Sequence, residues 1–291
     1  MSPPLHDGAL QIFDVDHGQC ALLTMPNGAG GVHRVIIDCG HAVNFGGAPW
    51  YPGEHLQSIG VRYIDMLVAT NYDEDHMSGF PDLAERGITV GCILGNPTVP
   101  AETIVRLKTE GGQNNLGKGI EAVAGALAAR RGIGWQQVPP QIPGVGMVWT
   151  WNPCAKFDDE NNLSMVFTLD ILGHRFMFPG DMECAGWRHL LATCQPFRPV
   201  VAGVEVLVAA HHGRHSGICP DMFNVYGCAP KLVIISDDYK QYDTQETTSF
   251  YGTKASGILG FRNEQGARKV LTTRRDGPIG FSFQGRNCIV Y

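Results

Sequence analysis

The sequence feature that most constrains the fold is a strand-like apolar run that ends directly in a polar loop. Residues Ile64 to Ala69 are mostly apolar, which predicts a buried strand. The loop from Thr70 to His76 follows, and a turn then leads into a short helix. Within this loop, Asp73, Asp75 and His76 supply two carboxylates and an imidazole. A solvated acidic turn is the simplest interpretation, but carboxylates this close repel each other unless a cation or protons compensate them.

Composition narrows the class of protein without naming a substrate. The chain has 291 residues, an apolar content of 44% and a formal net charge of −6. This apolar content suffices for a large core. The charge argues against a strongly basic nucleic-acid coat, yet a nuclease is not excluded, because bound metals can supply local positive charge. No apolar run reaches the roughly 18 residues of a membrane span.

The nine cysteines are scattered from Cys20 to Cys288 and contain no CxxC pair. An odd count without close pairs argues against a disulfide framework and against a zinc ribbon. The N-terminus carries no basic-then-apolar signal. We therefore expect reduced thiols in a soluble, cytoplasmic protein that does not contact membranes. The sequence does not indicate an oligomeric state.

Polar residues recur at the ends of other predicted strands. They are Asp38, the Asn161-Asn162-x-Ser164 stretch, Gly180-Asp181 and His211-His212-Gly213. Both halves of the chain begin with strands and continue with helices between later strands. This order predicts an α/β protein with mixed sheets and outer helices. Because no linker or internal repeat is visible, we expect a single domain over residues 1–291.

Taken in order, these elements resemble the metallo-β-lactamase superfamily, whose metal signature is written HxHxDH. The resemblance spans roughly residues 9 to 285. In the branch that includes the hydrolase domain of the DNA-uptake protein ComEC, the second His is commonly Asp, and Asp73 agrees with that pattern. Asn71 departs from the usual first His. The resemblance implies a metallo-β-lactamase-like αββα sandwich of two mixed sheets with outer helices.

The resemblance also implies a ligand set for one or two divalent metals. One metal would be held by Asp75, His76, Asp181 and one His of the pair, where His212 is the better match and His211 the alternative. Asp181 would bridge to a second metal facing Asn71 and Asp73. Asp38, Asn162 and Ser164 would support the loops. Two imidazoles suit Zn²⁺ or Mn²⁺ at the first position, whereas the oxygen-rich second position favours Mn²⁺ or Mg²⁺.

The implied function is a metal-dependent hydrolase, with a phosphodiester in DNA or RNA as the best substrate hypothesis. Asp75 or Asp73 would orient the attacking water. Candidate substrate contacts are His215, Lys240 and Tyr242, with Arg214, Arg274 and Arg275 as further phosphate contacts. His17 could flank the metal site, although an ordinary turn residue is the simpler interpretation.

Two alternatives stay open at this stage. The first is a hydrolase of a small ester, a lactone or a phosphocholine-type substrate, which needs a closed pocket rather than a basic groove. The second is a degenerate module that binds a nucleotide or a protein without turnover. Asn71 favours this second alternative, whereas the intact Asp75, His76, Asp181 and His212 argue against it.

Overall fold

The strand that precedes the polar loop is present and is buried on both faces. In the structure, a computed structural model, it spans Tyr63–Val68. Met66 and Val68 belong to one apolar core, whereas Leu67 between them belongs to another. This alternation is the two-residue period of a strand. Burial on both faces explains why the sequence is a nearly continuous apolar run.

The structure describes residues 7–110, 116–132, 138–238 and 243–291. Within these ranges the strands are β1 (Ala9–Ile12), β2 (Cys20–Pro26), β3 (Val32–Cys39), β4 (Ala42–Phe45), β5 (Ala48–Trp50), β6 (Tyr63–Val68), β7 (Thr89–Leu94), β8 (Val145–Trp151), β9 (Met165–Ile171), β10 (His174–Phe178), β11 (Val206–Val208), β12 (Leu232–Ile235), β13 (Val270–Thr272), β14 (Ile279–Gln284) and β15 (Asn287–Val290). The helices are α1 (Pro52–Ser58), α2 (Glu74–Met77), α3 (Phe80–Glu85), α4 (Ala101–Thr109), α5 (Lys118–Gly132), α6 (Cys184–Thr193), α7 (Arg198–Ala202), α8 (Pro220–Asn224), α9 (Thr248–Lys254) and α10 (Thr273–Asp276).

Two mixed sheets carry most of these strands. The first has the order β15-β14-β1-β2-β3-β6-β7, and the second has the order β13-β12-β11-β10-β9-β8. In the first sheet, β3, β6 and β7 run parallel. In the second, β10, β11, β12 and β13 run parallel. The strands β9 and β10 pair antiparallel as a hairpin.

Three apolar clusters define the layers. One lies between the sheets and includes Leu10, Phe167 and Phe281. A second packs α1, α3, α4 and α5 against the first sheet, and a third packs α6 to α9 against the second sheet. This arrangement confirms the predicted α/β class and the αββα sandwich. The single-domain organisation stays a prediction.

Two features of the first sheet and its surroundings were not predicted. The strands β4 and β5 form a separate hairpin, and β15 lies at the edge of the first sheet. Most residues of these strands are exposed or half-buried, so no continuous apolar run marks them. All nine cysteines are free. Among the described helices, none combines the length and apolar character needed to cross a bilayer.

Candidate metal centre

The polar strand ends of both sheets meet at one edge of the sandwich. Asp38 is the penultimate residue of β3, and Thr70 follows β6 in the same sheet. Asp181 follows β10 and His212 follows β11 in the other sheet. These are all strands in parallel pairs, and the carboxyl ends of parallel strands are the usual place for ligand sites in α/β sheets. The fold therefore brings together residues that lie far apart in the chain.

Four side chains converge there, and we call them the four-residue cluster: Asp75, His76, Asp181 and His212. Their ligand atoms all lie within 4.8 Å of one another. Nε2 of His76 lies 3.0 Å from Oδ1 of Asp181. Nε2 of His212 lies 3.1 Å from Oδ2 of Asp75 and 3.4 Å from Oδ1 of Asp181. Two imidazoles and two carboxylates at this spacing form a ligand set suited to a divalent transition metal.

Both imidazoles are oriented by a bond from their other ring nitrogen. Nδ1 of His76 donates to Oδ2 of Asp38 at 3.0 Å, and Nδ1 of His212 donates to the carbonyl oxygen of Ser236 at 2.9 Å. Such outer partners fix the tautomer of a metal-binding histidine. Among the described residues, Nε2 of His212 is buried and has no hydrogen-bond partner. Its lone pair is therefore available to a metal, so the cluster fits a divalent ion.

Asp38 connects the loop of residues 70–76, which we call the metal loop, to the first sheet. It is fully buried, and it accepts the backbone N–H of Thr70 at 2.7 Å as well as the Thr70 hydroxyl. Its third bond is the one from His76. Asp38 has a φ of 56°, a left-handed conformation that Asp tolerates better than most residues. The structure thus places Asp38 behind a candidate ligand, outside the cluster itself.

The side chains of the cluster form two ion pairs, His76 with Asp181 and His212 with Asp75. Burial raises the pKa of Asp181, but His212 and His76 outweigh this effect and hold the pKa well below its usual range. Burial raises the pKa of Asp75 as well, but the facing imidazoles of His212 and His76 outweigh this effect and lower the pKa overall. Burial lowers the pKa of both histidines, yet the facing carboxylates raise each pKa overall. Metal binding would displace protons from these imidazoles.

The backbone at the histidine pair selects which imidazole joins the cluster. His211 and His212 both have left-handed conformations, with φ values of 53° and 51°. Such conformations cost on the order of 1–3 kcal/mol each and are retained where the surroundings enforce them. His212 points into the cluster, whereas Nε2 of His211 lies 3.9 Å from Oδ2 of Asp181 and its Nδ1 lies 2.9 Å from Oγ of Ser216. Burial lowers the pKa of His211, so its imidazole is held neutral beside the cluster.

Two glycines, one between β1 and β2 and one after β3, allow the metal loop to approach the β1–β2 hairpin. The backbone N–H of Gln19 donates to the carbonyl oxygen of Asp75 at 3.3 Å. A Cβ at Gly18 would lie 2.6 Å from that oxygen, and one at Gly40 would lie closer still. Any side chain at these positions would displace the loop that carries Asp75 and His76.

Asp73 and Asn71, expected at a second metal, lie outside the four-residue cluster. The carboxylate of Asp73 forms an ion pair with the ammonium group of Lys108. The side-chain amide of Asn71 donates to Oγ of Ser164 at 3.2 Å and to Oδ1 of Asn161 at 3.4 Å. The structure therefore gives these two residues protein partners where the sequence predicted metal contacts.

Ser164 and Asn162, the two supporting residues expected in the loop before β9, contact different neighbours. Ser164 accepts the backbone N–H of Asp181 at 3.1 Å, so it supports a candidate ligand directly. Asn162 instead donates to Asp159 and accepts the N–H of Gly186 at 2.7 Å, which ties the loop to α6. Asn161 is the residue that reaches Asn71. Neighbouring residues on this loop point in different directions, and the sequence contains no signal of which one faces the site.

His17 and Arg214 lie closer to the cluster than the sequence indicated. The ring of His17 lies 4.5 Å from the ring of His212, measured between centroids. Arg214 donates to Nε2 of His17 at 3.1 Å and contacts Nε2 of His211 at 3.4 Å. Burial, followed by the charge of His212, lowers the pKa of His17 to about 4, so its ring is a neutral acceptor. His17 and Arg214 are 197 residues apart in the chain, so no local sequence pattern predicts their contact.

The remaining substrate candidates have mixed outcomes. His215 is exposed on the loop after His212. Arg274 forms an ion pair with Asp237, whereas Arg275 is exposed. Lys240 and Tyr242 lie outside the described residues, so their roles stay predictions.

Comparison with curated proteins agrees with the resemblance found in the sequence. The chain is 22% identical over 296 residues to ComE operon protein 3 from Bacillus subtilis (strain 168). The match covers 96% of this chain but 34% of that protein, so the chain spans about a third of its length. No family model matches the chain.

The chain also aligns with solved structures, among them three proteins whose names describe different activities. CmlA, a diiron β-hydroxylase from Streptomyces venezuelae, aligns with a TM-score of 0.49 and 12% identity over 97% of this chain and 55% of its own. A protein from Thermotoga maritima, provisionally named a zinc-dependent hydrolase of the metallo-β-lactamase superfamily, aligns with a TM-score of 0.39 and 14% identity, covering 90% of this chain and 97% of its own. A diphosphatase of the PhnP family aligns with a TM-score of 0.39 and 12% identity, covering 94% and 97% respectively.

Proposed function

We propose that this protein is a metal-dependent hydrolase that cleaves phosphodiesters. The four-residue cluster carries the proposal, because two oriented imidazoles and two carboxylates converge at the joined strand ends. Asp75, His76, Asp181 and His212 would hold the metal, with Zn²⁺ or Mn²⁺ suited to this donor set and Mg²⁺ less so. A bound divalent metal supplies Lewis acidity, which activates water and stabilises charge on a phosphoryl oxygen.

Asp75 is the residue best placed to orient the attacking water. Its side chain is 28% exposed, whereas the side chains of His212 and Asp181 are only 2% and 5% exposed. It is therefore the cluster member that solvent reaches. As a carboxylate with a lowered pKa, it accepts a hydrogen bond from water at neutral pH. Asp73, the alternative for this role, forms an ion pair with Lys108 instead.

Arg214 favours an anionic substrate over a neutral ester. Its guanidinium contacts two imidazoles, and no ion pair joins it to any carboxylate in the described part of the chain. Within that same part, its buried Nε has no hydrogen-bond partner. A guanidinium without a carboxylate, held beside a metal cluster, is suited to bind a phosphoryl oxygen.

Nucleic acid is the phosphodiester that the sequence resemblance favours. The formal charge of −6 argues against a strongly basic surface, so the attraction would come from the metal and from Arg214. DNA and RNA are both retained as substrates, because the described residues include no feature that selects between them.

The experiment compares turnover of two small substrates and two polymers. Metal-stripped protein is reconstituted with Mn²⁺ or Zn²⁺ and assayed on bis(p-nitrophenyl) phosphate, p-nitrophenyl acetate, single-stranded DNA and RNA. We expect hydrolysis of the diester that is abolished by a chelator. Arg214→Gln should raise KM for the diester roughly ten- to a hundredfold, because charged hydrogen bonds contribute about 1.5–3 kcal/mol. Hydrolysis of the acetate ester should not change.

A matched arginine provides the control. Arg188 pairs with Asp221 on the surface between α6 and α8, so Arg188→Gln should leave KM for the diester unchanged. Faster turnover of the acetate ester, insensitive to Arg214→Gln, would identify the small-ester hydrolase instead. No turnover of any substrate with either metal, combined with retained nucleotide or protein binding, would identify the degenerate module.

A further inference from the structure

Lys108 is a buried lysine on the apolar face of a helix. It lies on α4 four residues after Ile104, a core residue, and is only 7% exposed. Positions four apart share a helix face, so the side chain is directed toward the core rather than toward solvent. Lysine is rarely buried to this extent unless its charge is paired.

Two carboxylates pair with this ammonium group. Nζ of Lys108 contacts Oδ1 of Asp73 and lies 2.6 Å from Oε1 of Glu160. Asp73 comes from the metal loop and Glu160 from the loop before β9. The lysine therefore neutralises a carboxylate that the family resemblance would assign to a second metal.

Asn71, the other residue expected at a second metal, also has its side chain hydrogen-bonded to protein groups. Oδ1 of Asn71 accepts the backbone N–H of Asp73 at 2.9 Å, while its Nδ2 faces Ser164 and Asn161. Exchanging the amide oxygen and nitrogen would set two donors against each other at Asp73, so the bonding fixes this orientation. The amide group thus presents N–H donors, which cannot bind a metal, toward the loop before β9.

We propose that Lys108 supplies, from within the chain, the cation that a second metal would otherwise provide, so that the centre binds one divalent metal. We call Asn71, Asp73, Lys108 and Glu160 the lysine half-site. A second divalent ion at Asp73 would have to displace an ammonium group already paired there, against like-charge repulsion. The inference rests on the metal centre of the proposed function, but not on its substrate.

The test counts bound metal. Metal-stripped wild-type protein and Lys108→Met are titrated with Mn²⁺, and bound Mn²⁺ is measured by calorimetry and by electron paramagnetic resonance. We expect one equivalent in the wild type, with the spectrum of an isolated ion. In Lys108→Met, Asp73 and Glu160 are released from the ammonium, and we expect a second, weaker equivalent with magnetic coupling between the two ions.

Two further variants test whether the extra metal binding comes from losing the charge of Lys108 rather than from a loss of folding. Lys108→Arg keeps the positive charge and should bind one equivalent. Lys231→Met removes an ammonium that pairs with Glu205 at 3.1 Å at the start of β12, and it should also bind one. A melting curve for each variant identifies any loss of folding, and the wild-type count does not depend on any variant.

Each count decides a different point. Two equivalents in the wild type would overturn the inference while leaving the metal centre intact. One equivalent in both the wild type and a folded Lys108→Met would show that the lysine does not exclude a second ion, which also overturns it. No bound metal in the wild type would overturn the metal centre of the proposed function, and the inference with it.

Discussion

The four-residue cluster and the lysine half-site begin on the same loop but neutralise their carboxylates differently. In the cluster, Asp75 and Asp181 face imidazoles whose outer nitrogens are already bonded, so the inner nitrogens converge. In the half-site, Asp73 faces an ammonium group that the chain itself provides. Imidazole can exchange its proton for a metal near neutral pH, whereas ammonium has no lone pair to offer while it is charged.

This difference shows how one loop can hold both an exchangeable and a fixed cation. The loop from Asn71 to His76 places alternate carboxylates, Asp73 and Asp75, toward different partners. Which carboxylate binds metal is decided by the elements packed against the loop. The strand ends of the second sheet supply Asp181 and His212, whereas α4 supplies Lys108.

We expect the largest difference in Mn²⁺ affinity between a variant that removes a carboxylate charge from the four-residue cluster and one that removes it from the lysine half-site. We expect Asp181→Asn to weaken Mn²⁺ binding by more than about 100-fold, beyond the 10–100-fold typical of outer-shell partners, because Asp181 faces both imidazoles. Glu160→Gln should change Mn²⁺ affinity little, since its partner is Lys108. Calorimetry on metal-stripped protein measures both values. Comparable losses in the two variants would erase the distinction between the regions.

A smaller effect should follow from loosening one imidazole of the cluster. Asp38→Asn removes the charge behind His76, and we expect Mn²⁺ affinity to fall roughly 10–100-fold. Asp65 is a matched control, because it also accepts a backbone N–H, from Arg34 at 2.7 Å, and an imidazole Nδ1, from His33 at 2.9 Å.

We expect Asp65→Asn to lower the melting temperature without changing Mn²⁺ affinity. If Asp38→Asn behaves in the same way, the role of Asp38 is confined to stability. Metal affinity and melting temperature should therefore be measured together for both variants.

The smallest effect concerns pH. In the metal-free protein the pKa values of His76 and His212 lie above the ordinary 6.5. A pKa raised on folding stabilises the protein fully below the unfolded pKa, and this contribution is lost as pH rises through the folded pKa. We expect the melting temperature of chelated protein to fall by a few degrees from about pH 6.5 upward.

Saturating Mn²⁺ should reduce this fall, because binding releases the same protons. His212→Gln should flatten the dependence in chelated protein, since it removes one of the two titrating imidazoles. Thermal melts at half-unit pH steps supply the measurement. A melting temperature of wild-type chelated protein that is constant or increases above pH 6.5 would contradict the assignment of these ion pairs.

The sequence predicted the parts of the molecule that depend on local pattern. A buried strand followed by polar residues is visible in the chain, so β6 and its loop were placed correctly. The same holds for Asp181 after β10 and His212 after β11. The superfamily resemblance then supplied their order, which periodicity alone could not. Short exposed strands such as β4 and β15 carry no such pattern and were missed.

The missed contacts of the site arise from packing between distant elements. Lys108 reaches Asp73 across 35 residues and Glu160 across 52. One local signal was available, since Lys108 lies on the same helix face as Ile104, where an apolar residue is expected. Which of His211 and His212 joins the cluster depends on two successive residues in left-handed conformations, and no sequence pattern predicts these conformations.

The distribution of the cluster over both sheets also has a consequence for the order of folding. His76 and Asp181 are 105 residues apart, so their contact closes a long loop. Such non-local contacts form late, after the entropy of closing the loop has been compensated by packing. The first sheet alone contributes Asp75 and His76, which are two of the four ligands. Tight metal acquisition therefore requires the second sheet to have docked, and a bound ion would act as a marker of completed assembly.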